Sequence, residues 1–257
     1  MTDIAKQIHS LDITVGDTKI NTYDDWHLVP KSRPVFAPPS LKKYSQDIPG
    51  TNGEIDLTTA LTGYPAYQNR TGSIDFMVMH NGLSSSLGDD IGYNNNSNSG
   101  WQGMYSEIEN FLHGQAVKIE SSDFPDWYYS GRMTVSGWTS DEQYSTITIN
   151  YDLEPFRYSI TESADLWKWD PFNFKTGLIR TYGSMDLGTS HMIVGTVTPI
   201  IPTVFVTSAC TVTTPTATVN LKSGSNKNPL LVIYPGKQTW RFTGSGKVGI
   251  YFRERSF

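Results

Sequence analysis

The feature that most constrains this chain is an unbroken alternation from Thr146 to Leu153. Ile147, Ile149, Tyr151 and Leu153 take every second place, and Thr146, Thr148, Asn150 and Asp152 fill the gaps. Only a pleated strand with one buried face keeps a period of two; a helix would scatter those four apolar side chains around its circumference. The same period recurs at Ile74, Phe76 and Val78, at Met133 and Val135, and at Val248, Ile250 and Phe252. Val204, Val206, Ser208, Cys210 and Val212 are expected to share one face of a further strand, with Cys210 a small buried core residue. Twenty-two glycines and fourteen prolines punctuate these runs, as in a mainly β protein with many turns.

One segment breaks the pattern. Met104, Tyr105, Ile108, Phe111 and Leu112 recur at three- and four-residue spacing, and Gly114 stands where a helix C-terminal cap belongs. A shorter turn is expected from Asp56 to Leu61, ending at Gly63, and the Asn-rich run from Gly88 to Gly100 reads as a loop. The strongest boundary signal is Glu154-Pro155-Phe156-Arg157-Tyr158, where the long alternation stops at a residue that cannot donate to a ladder. Residues 1–157 are expected to form a mixed β-rich domain with one short helix. Residues 158–257 carry only strand and turn signals and are expected to form a β-sandwich.

The 257 residues are 37% apolar and 18% charged, too apolar for a disordered chain. A formal net charge of −5 gives no electrostatic reason for tight binding to nucleic acid or to an anionic membrane. A single cysteine, Cys210, rules out an intramolecular disulfide and a cysteine zinc site, and suits assembly in a reducing cytoplasm. The segment Met1–Ser10 carries Asp3, Lys6 and His9 and does not read as a signal peptide. Pro199 and Pro202 interrupt the longest apolar stretch, Met192 to Val206, which is also shorter than a bilayer span, so no membrane insertion is expected.

Motifs that would carry chemistry are missing or imitated. No two of His9, His27, His80, His113 and His191 stand at metal-ligand spacing on one expected element, and neither HExxH nor GxSxG occurs. Gly244-Ser245-Gly246-Lys247-Val248-Gly249 matches GxGxxG literally. A dinucleotide site needs a helix after that loop, whereas the residues here alternate as a strand, so a β-turn is expected. Asn94, Asn96 and Asn98 imitate a calcium loop without its carboxylates, and Ser99 and Tyr105 occupy the places where Gly and Glu are required. No carboxylate pair stands out as glycosidase machinery. Trp26, Trp101, Trp127, Trp138, Trp167, Trp169 and Trp240 are expected to be core or interface anchors. Catalytic, cofactor-binding and metal-binding residues are therefore none, and no cofactor is expected.

The stretch from Pro38 to Arg70 combines a strand running into Ile48-Pro49-Gly50, a turn at Asn52-Gly53, the acidic-apolar Glu54-Ile55-Asp56-Leu57 and the closing Tyr67-Gln68-Asn69-Arg70. Further on come Phe111-Leu112-His113-Gly114 before a strand at Val117-Lys118-Ile119, then Tyr128-Tyr129-Ser130-Gly131-Arg132. Last come Tyr234-Pro235-Gly236 with Phe242-Thr243-Gly244, and Val248 to Arg255, which resemble a closing hairpin and the last strand of a known family. In order, spacing and total length these elements resemble the distal tail proteins of long-tailed bacteriophages, in the short form without a carbohydrate-binding insertion.

The resemblance implies an N-terminal domain closing into a homo-hexameric ring and a galectin-like C-terminal β-sandwich outside it. It also implies a place in the virion at the distal end of the tail. There the ring would link the tail tube protein to the tail-tip protein and support receptor-binding or baseplate proteins. DNA would pass through the channel without tight binding. Such a protein is structural, not an enzyme. The sugar-site strands of galectins are not reproduced: His191 is followed by Met192, Ile193, Val194 and Gly195, and neither Trp240 nor Trp167 has Glu three residues on. The competing readings are a host-surface carbohydrate-binding adhesion module, a glycan hydrolase, and a ring protein of a contractile device.

Overall fold

A computed structural model describes residues 8–50, 52–79, 98–140, 144–166 and 181–257. The chain divides into two compact units, the first running up to Arg157 and also taking Phe257, the second covering Tyr158–Ser256.

The first unit is built on an antiparallel sheet. Its strands are β1 (Leu11–Val15), β2 (Thr18–Asn21), β3 (Val29–Pro30), β6 (Arg70–Met79), β7 (Ala116–Ser121), β8 (Phe124–Ser140) and β9 (Tyr144–Leu153), in the order β2-β1-β7-β8-β9-β6-β3. The diagnostic alternation lies on β9. Ile147, Ile149, Tyr151 and Leu153 are buried, while Asn150 and Asp152 on the other face are exposed. Ile74 and Phe76 on β6, Met133 on β8, Leu11 and Ile13 on β1 and Val117 and Ile119 on β7 join them in one core.

Helix α1 (Asn98–Leu112) closes that core with Met104, Ile108 and Leu112, and lies against β8. It ends where the spacing predicts. The His113 amide still donates to Glu109 O at 2.8 Å, and Gly114 then takes a φ of 70°, a conformation that ends helices and that a Cβ disfavours. The helix begins earlier than expected. Asn98, Ser99 and Gly100, which belong by composition to the expected loop, form its first turn instead, where Asn and Ser are at home. The rest of that expected loop, with Asn94 and Asn96, lies outside the described residues.

A β-bulge interrupts β8. Val135 faces Ile149 and Gly137 faces Thr148, so Ser136 is the extra residue. The bulge reverses which side chains share the face of Ile149 and Ile147: Met133 and Val135 do so before it, and Trp138, 38% exposed, after it. Trp138 then lies against Tyr105 of the helix, ring centroids 5.3 Å apart. At Gly131, opposite Leu153, a Cβ would stand 2.3 Å from Asp152 O, so the Tyr-Ser-Gly-Arg string marks a close strand approach.

The second unit holds two four-stranded antiparallel sheets over one core, a β-sandwich. One has the order β11 (Met185–Asp186), β18 (Lys247–Tyr251), β13 (Thr203–Val206), β16 (Gly224–Lys227). The other has β12 (Ser190–Gly195), β17 (Gly236–Phe242), β14 (Cys210–Thr213), β15 (Thr218–Leu221). Val204, Val206, Val248 and Ile250 from the first meet Ile193, Cys210, Val212, Leu221, Trp240 and Phe242 from the second. Strand β10 (Arg157–Glu162) pairs with β19 (Arg253–Ser256), and within the unit Arg253 bridges to Glu162 at 3.4 Å.

Three expectations are corrected here. Residues 204–212 are not one strand: the chain leaves β13 at Val206 and enters the opposite sheet at Cys210. Both halves still point their even-numbered residues into the same core, and for that reason the alternation looked continuous. Residues 234–244 are not a hairpin either, because 236–242 form the single strand β17, which pairs with β12 and β14, while β18 pairs with β13 and β11. The turn at Gly244-Ser245-Gly246 crosses between sheets. The final strand breaks at Phe252, which is buried in the sandwich core, and resumes as β19.

Candidate assembly surface

The residues singled out for chemistry do not converge. The His9 Nδ1 lies 2.8 Å from the Asp123 carboxylate, which Arg33 Nε also contacts at 3.0 Å. Burial pushes the Asp123 carboxyl up, but the hydrogen bonds and charges of His9 and Arg33 outweigh it and hold the pKa below its ordinary value. His27 packs edge-on against Tyr23, and His191 Nε2 donates to Asp186 O at 2.7 Å. His80 lies outside the described residues, among which no group of three or more His, Cys, Asp or Glu could hold a metal ion. Among them, too, no helix is long and apolar enough to cross a membrane. Trp26 and Trp240 are core residues, Trp127 stacks beneath Arg157 at 5.1 Å, and Trp167 and Trp169 are not described. A fully buried Trp240 offers no face to a sugar ring.

The unusual surface is the arm between Phe36 and Arg70. No described side chain from Ala37 to Asn69 is buried, although this is more than thirty residues of ordered backbone. The arm is a two-stranded excursion. At its root the Lys42 amide donates to Ala66 O and the Gln68 amide to Ser40 O, both at 2.8 Å. Further out β4 (Ser45–Asp47) pairs with β5 (Glu54–Asp56), and the tip turns through left-handed backbone at Gly50 and Gly53. The turn after β5 ends at Gly63, whose amide donates to Thr59 O.

Polar bonds hold the arm in shape. Thr58 Oγ1 accepts the Tyr44 amide at 3.0 Å. Asp56 accepts the Thr58 amide at 2.9 Å, and the Thr58 hydroxyl and amide together hold the Asp56 carboxyl below its ordinary range. Glu54 is lowered too, by a hydrogen bond from Ser45 and by the charge of Lys43, 3.6 Å away. Against this frame the arm exposes large apolar side chains. Leu61 is 97% exposed and Tyr44 61%, with Leu41, Ile48, Ile55 and Leu57 also open to solvent. The arm thus concentrates large apolar side chains that the chain's own fold leaves open to solvent.

The arm springs from a constructed root. Phe36, the last buried residue before it, packs on Tyr129 at 4.5 Å and Tyr151 at 5.1 Å. Next to it, the Ala37 amide donates to Tyr151 Oη at 2.9 Å, and Ala37 O accepts from Arg70 Nη1 at 3.1 Å. Arg70 Nε donates to Pro155 O at 2.8 Å, and its guanidinium lies over the Tyr129 ring. Burial lowers the pKa of Arg70, which is 4% exposed. Tyr151 reaches Ala37 only because Gly72 stands opposite it on β6; a Cβ there would come within 2.4 Å of the phenol oxygen.

The architecture as a whole has a solved counterpart. It superimposes with a TM-score of 0.60 on the crystal structure of the SPP1 Dit (gp 19.1) protein, over 96% of this chain and 99% of that one. The chain has a Dit-like fold. That protein is described as a paradigm of the hub adsorption apparatus in phages infecting Gram-positive hosts, and the two sequences are 12% identical. No family model matches the sequence. No curated protein sequence matches it either. Pattern and residue identity part company here: alternation, turn placement and element order specify the sheets, and many side chains satisfy each position.

Sequence reasoning located the arm by its turn dipeptides and treated Arg70 only as the end of a string. Nothing in the sequence signals that Arg70, Gly72 and Tyr151 share one task, because contacts between paired strands depend on register.

Proposed function

We propose that this chain is a structural subunit of a phage tail tip. In this reading the first unit forms a ring, expected to hold six copies, that joins the tail tube protein to the tail-tip protein. The second unit faces outward and supports receptor-binding or baseplate proteins. The subunit acts without catalysis or cofactor, at the distal end of the tail in the virion, after assembly in the host cytoplasm.

The observation that carries the reading is likeness to a hub protein over 96% of this chain and 99% of that one. The arm adds to it. A ring needs a heterologous contact, in which one subunit offers a surface that the next receives, and cyclic closure hides what would otherwise grow into a fibre. The uncovered apolar side chains of residues 41–61 suit the offered side. The carbohydrate-binding reading has less to stand on, since Trp240 is interior and His191 is engaged by the Asp186 carbonyl.

The mass of the purified protein across a concentration range, alone and with its tube and tip partners, tests the reading. A six-fold mass with closed rings in electron micrographs is the expected result. A protein that stays monomeric at high concentration and forms no ring with either partner defeats it.

A further inference from the structure

We propose that Arg70, Tyr151 and Gly72 form an anchor that sets the direction of the arm before any partner arrives, so that the arm docks as a preformed element rather than folding on contact. The need for such an anchor follows from burial. Among the described residues from Ala37 to Asn69 the arm has no buried side chain, so it is tied to a core near its two ends, where Tyr67 also packs on Phe156 at 5.9 Å and Asn69 Nδ2 donates to Asp152 Oδ1 at 2.8 Å. Both ends meet at this one place. Arg70 is the residue at which the arm re-enters the sheet, and its Nη1 donates back to Ala37, where the arm departs. Tyr151 takes the amide of that same residue, so both backbone groups of Ala37 are held by side chains of two neighbouring strands. Gly72 supplies the space the phenol needs.

The chemistry of the groups matches a positioning role. Arginine's planar fork presents donors at fixed angles, so contacts to Ala37 O and Pro155 O fix the orientation of the arm's origin as well as its distance. Nη2 is buried without a partner among the described residues, so the guanidinium is seated for those two carbonyls and not for fullest hydrogen bonding. A surface already ordered in its docking geometry avoids the entropy loss of ordering on contact, so it associates more tightly for the same contacts.

The anchor depends on the tail-tip reading only for the arm's purpose, and its test separates the two. Tyr151→Phe removes the hydroxyl and keeps the ring; Arg70→Lys keeps the charge and loses the fork. Amide hydrogen exchange is measured on the full chain. The expected result is exchange roughly tenfold faster at the root amides of Lys42 and Gln68, the scale of one net hydrogen bond lost, with the β7 and β9 amides of Ile119 and Ile149 unchanged. Root and sheet amides that rise together, or root amides that stay put in Tyr151→Phe, overturn the anchor. Ring yield with the tail partners is then compared for the same variants. A yield that falls with root loosening supports docking by a preformed arm, and an undiminished yield despite a loosened root overturns it. If the wild-type chain forms no rings while the exchange pattern holds, the tail-tip reading fails and the anchor stands.

Discussion

At the residue scale, the first unit shows how a side chain's task is set by what stands opposite it. Gly72 carries no side chain because Tyr151 occupies its space. Gly72→Ala is expected to displace the phenol, break its bond to Ala37, and cost about 1–3 kcal/mol, the usual penalty for overpacking. Urea unfolding of the variant beside wild type measures it. The outer face of the same sheet holds a charge network in which Lys19 bridges Asp12 at 3.0 Å and Glu120 at 2.9 Å, and Lys118 also binds Glu120. Burial pushes the Glu120 carboxyl up, but the hydrogen bonds and charges of Lys118 and Lys19 outweigh it and leave it below its ordinary 4.5. A carboxyl depressed by folding contributes stability above its unfolded pKa and loses it as the pH falls through the folded value. Glu120→Gln is therefore expected to cost about 0.5–1 kcal/mol near neutrality, with the gap to wild type closing as the pH falls below the ordinary 4.5 and through the folded value. Urea midpoints across that range check both size and direction.

At the element scale, the arm is the part whose absence the fold should tolerate. No described side chain in it is buried, and shortening a surface excursion changes loop-closure entropy little. Deleting residues 45–56, which removes β4, β5 and the tip between them, is expected to change unfolding free energy by less than about 1 kcal/mol. Ring formation should be abolished. Thermal unfolding and solution mass, measured on the same preparation, separate these effects, and a shortened chain that still forms rings would remove the arm from the interface. Much at this scale was legible beforehand. The strands at 74–78 and 146–153, the helix through Leu112 and the arm's turns were all readable, because periodicity and turn dipeptides are local properties. The bulge at Ser136 and the change of sheet between Val206 and Cys210 were not, because each leaves a plausible alternation intact while altering which partner it faces.

At the scale of the whole molecule, charge and interior packing govern what the assembly should leave alone. In the proposed ring, six chains of −5 each carry a formal −30, so the passage lacks the net positive charge that drives counterion release from DNA. Duplex retention at physiological salt is expected to be negligible, and sub-micromolar affinity with a steep salt slope would refute it. The sandwich unit is expected to bind neither β-galactosides nor host wall polysaccharide, since Trp240 is interior and His191 bonds to a backbone carbonyl. Calorimetry with both ligands checks this, and saturable binding mapped to residues 160–257 would restore the adhesion reading.

The sequence by itself determined that this is a mainly β chain with a helix ending at Leu112 and a turn-rich stretch before Arg70. Those properties are written in neighbours two to four residues apart, where backbone geometry alone imposes the period. Only the tertiary structure decided which strands pair, that Cys210 and Val206 serve opposite sheets of one core, and that Arg70, Gly72 and Tyr151 meet at Ala37. Tyr151 and Gly72 are far apart along the chain and become opposite neighbours on β9 and β6 only through strand register. Register is fixed by burying one whole face of the sheet at once, a condition that no short stretch of sequence contains.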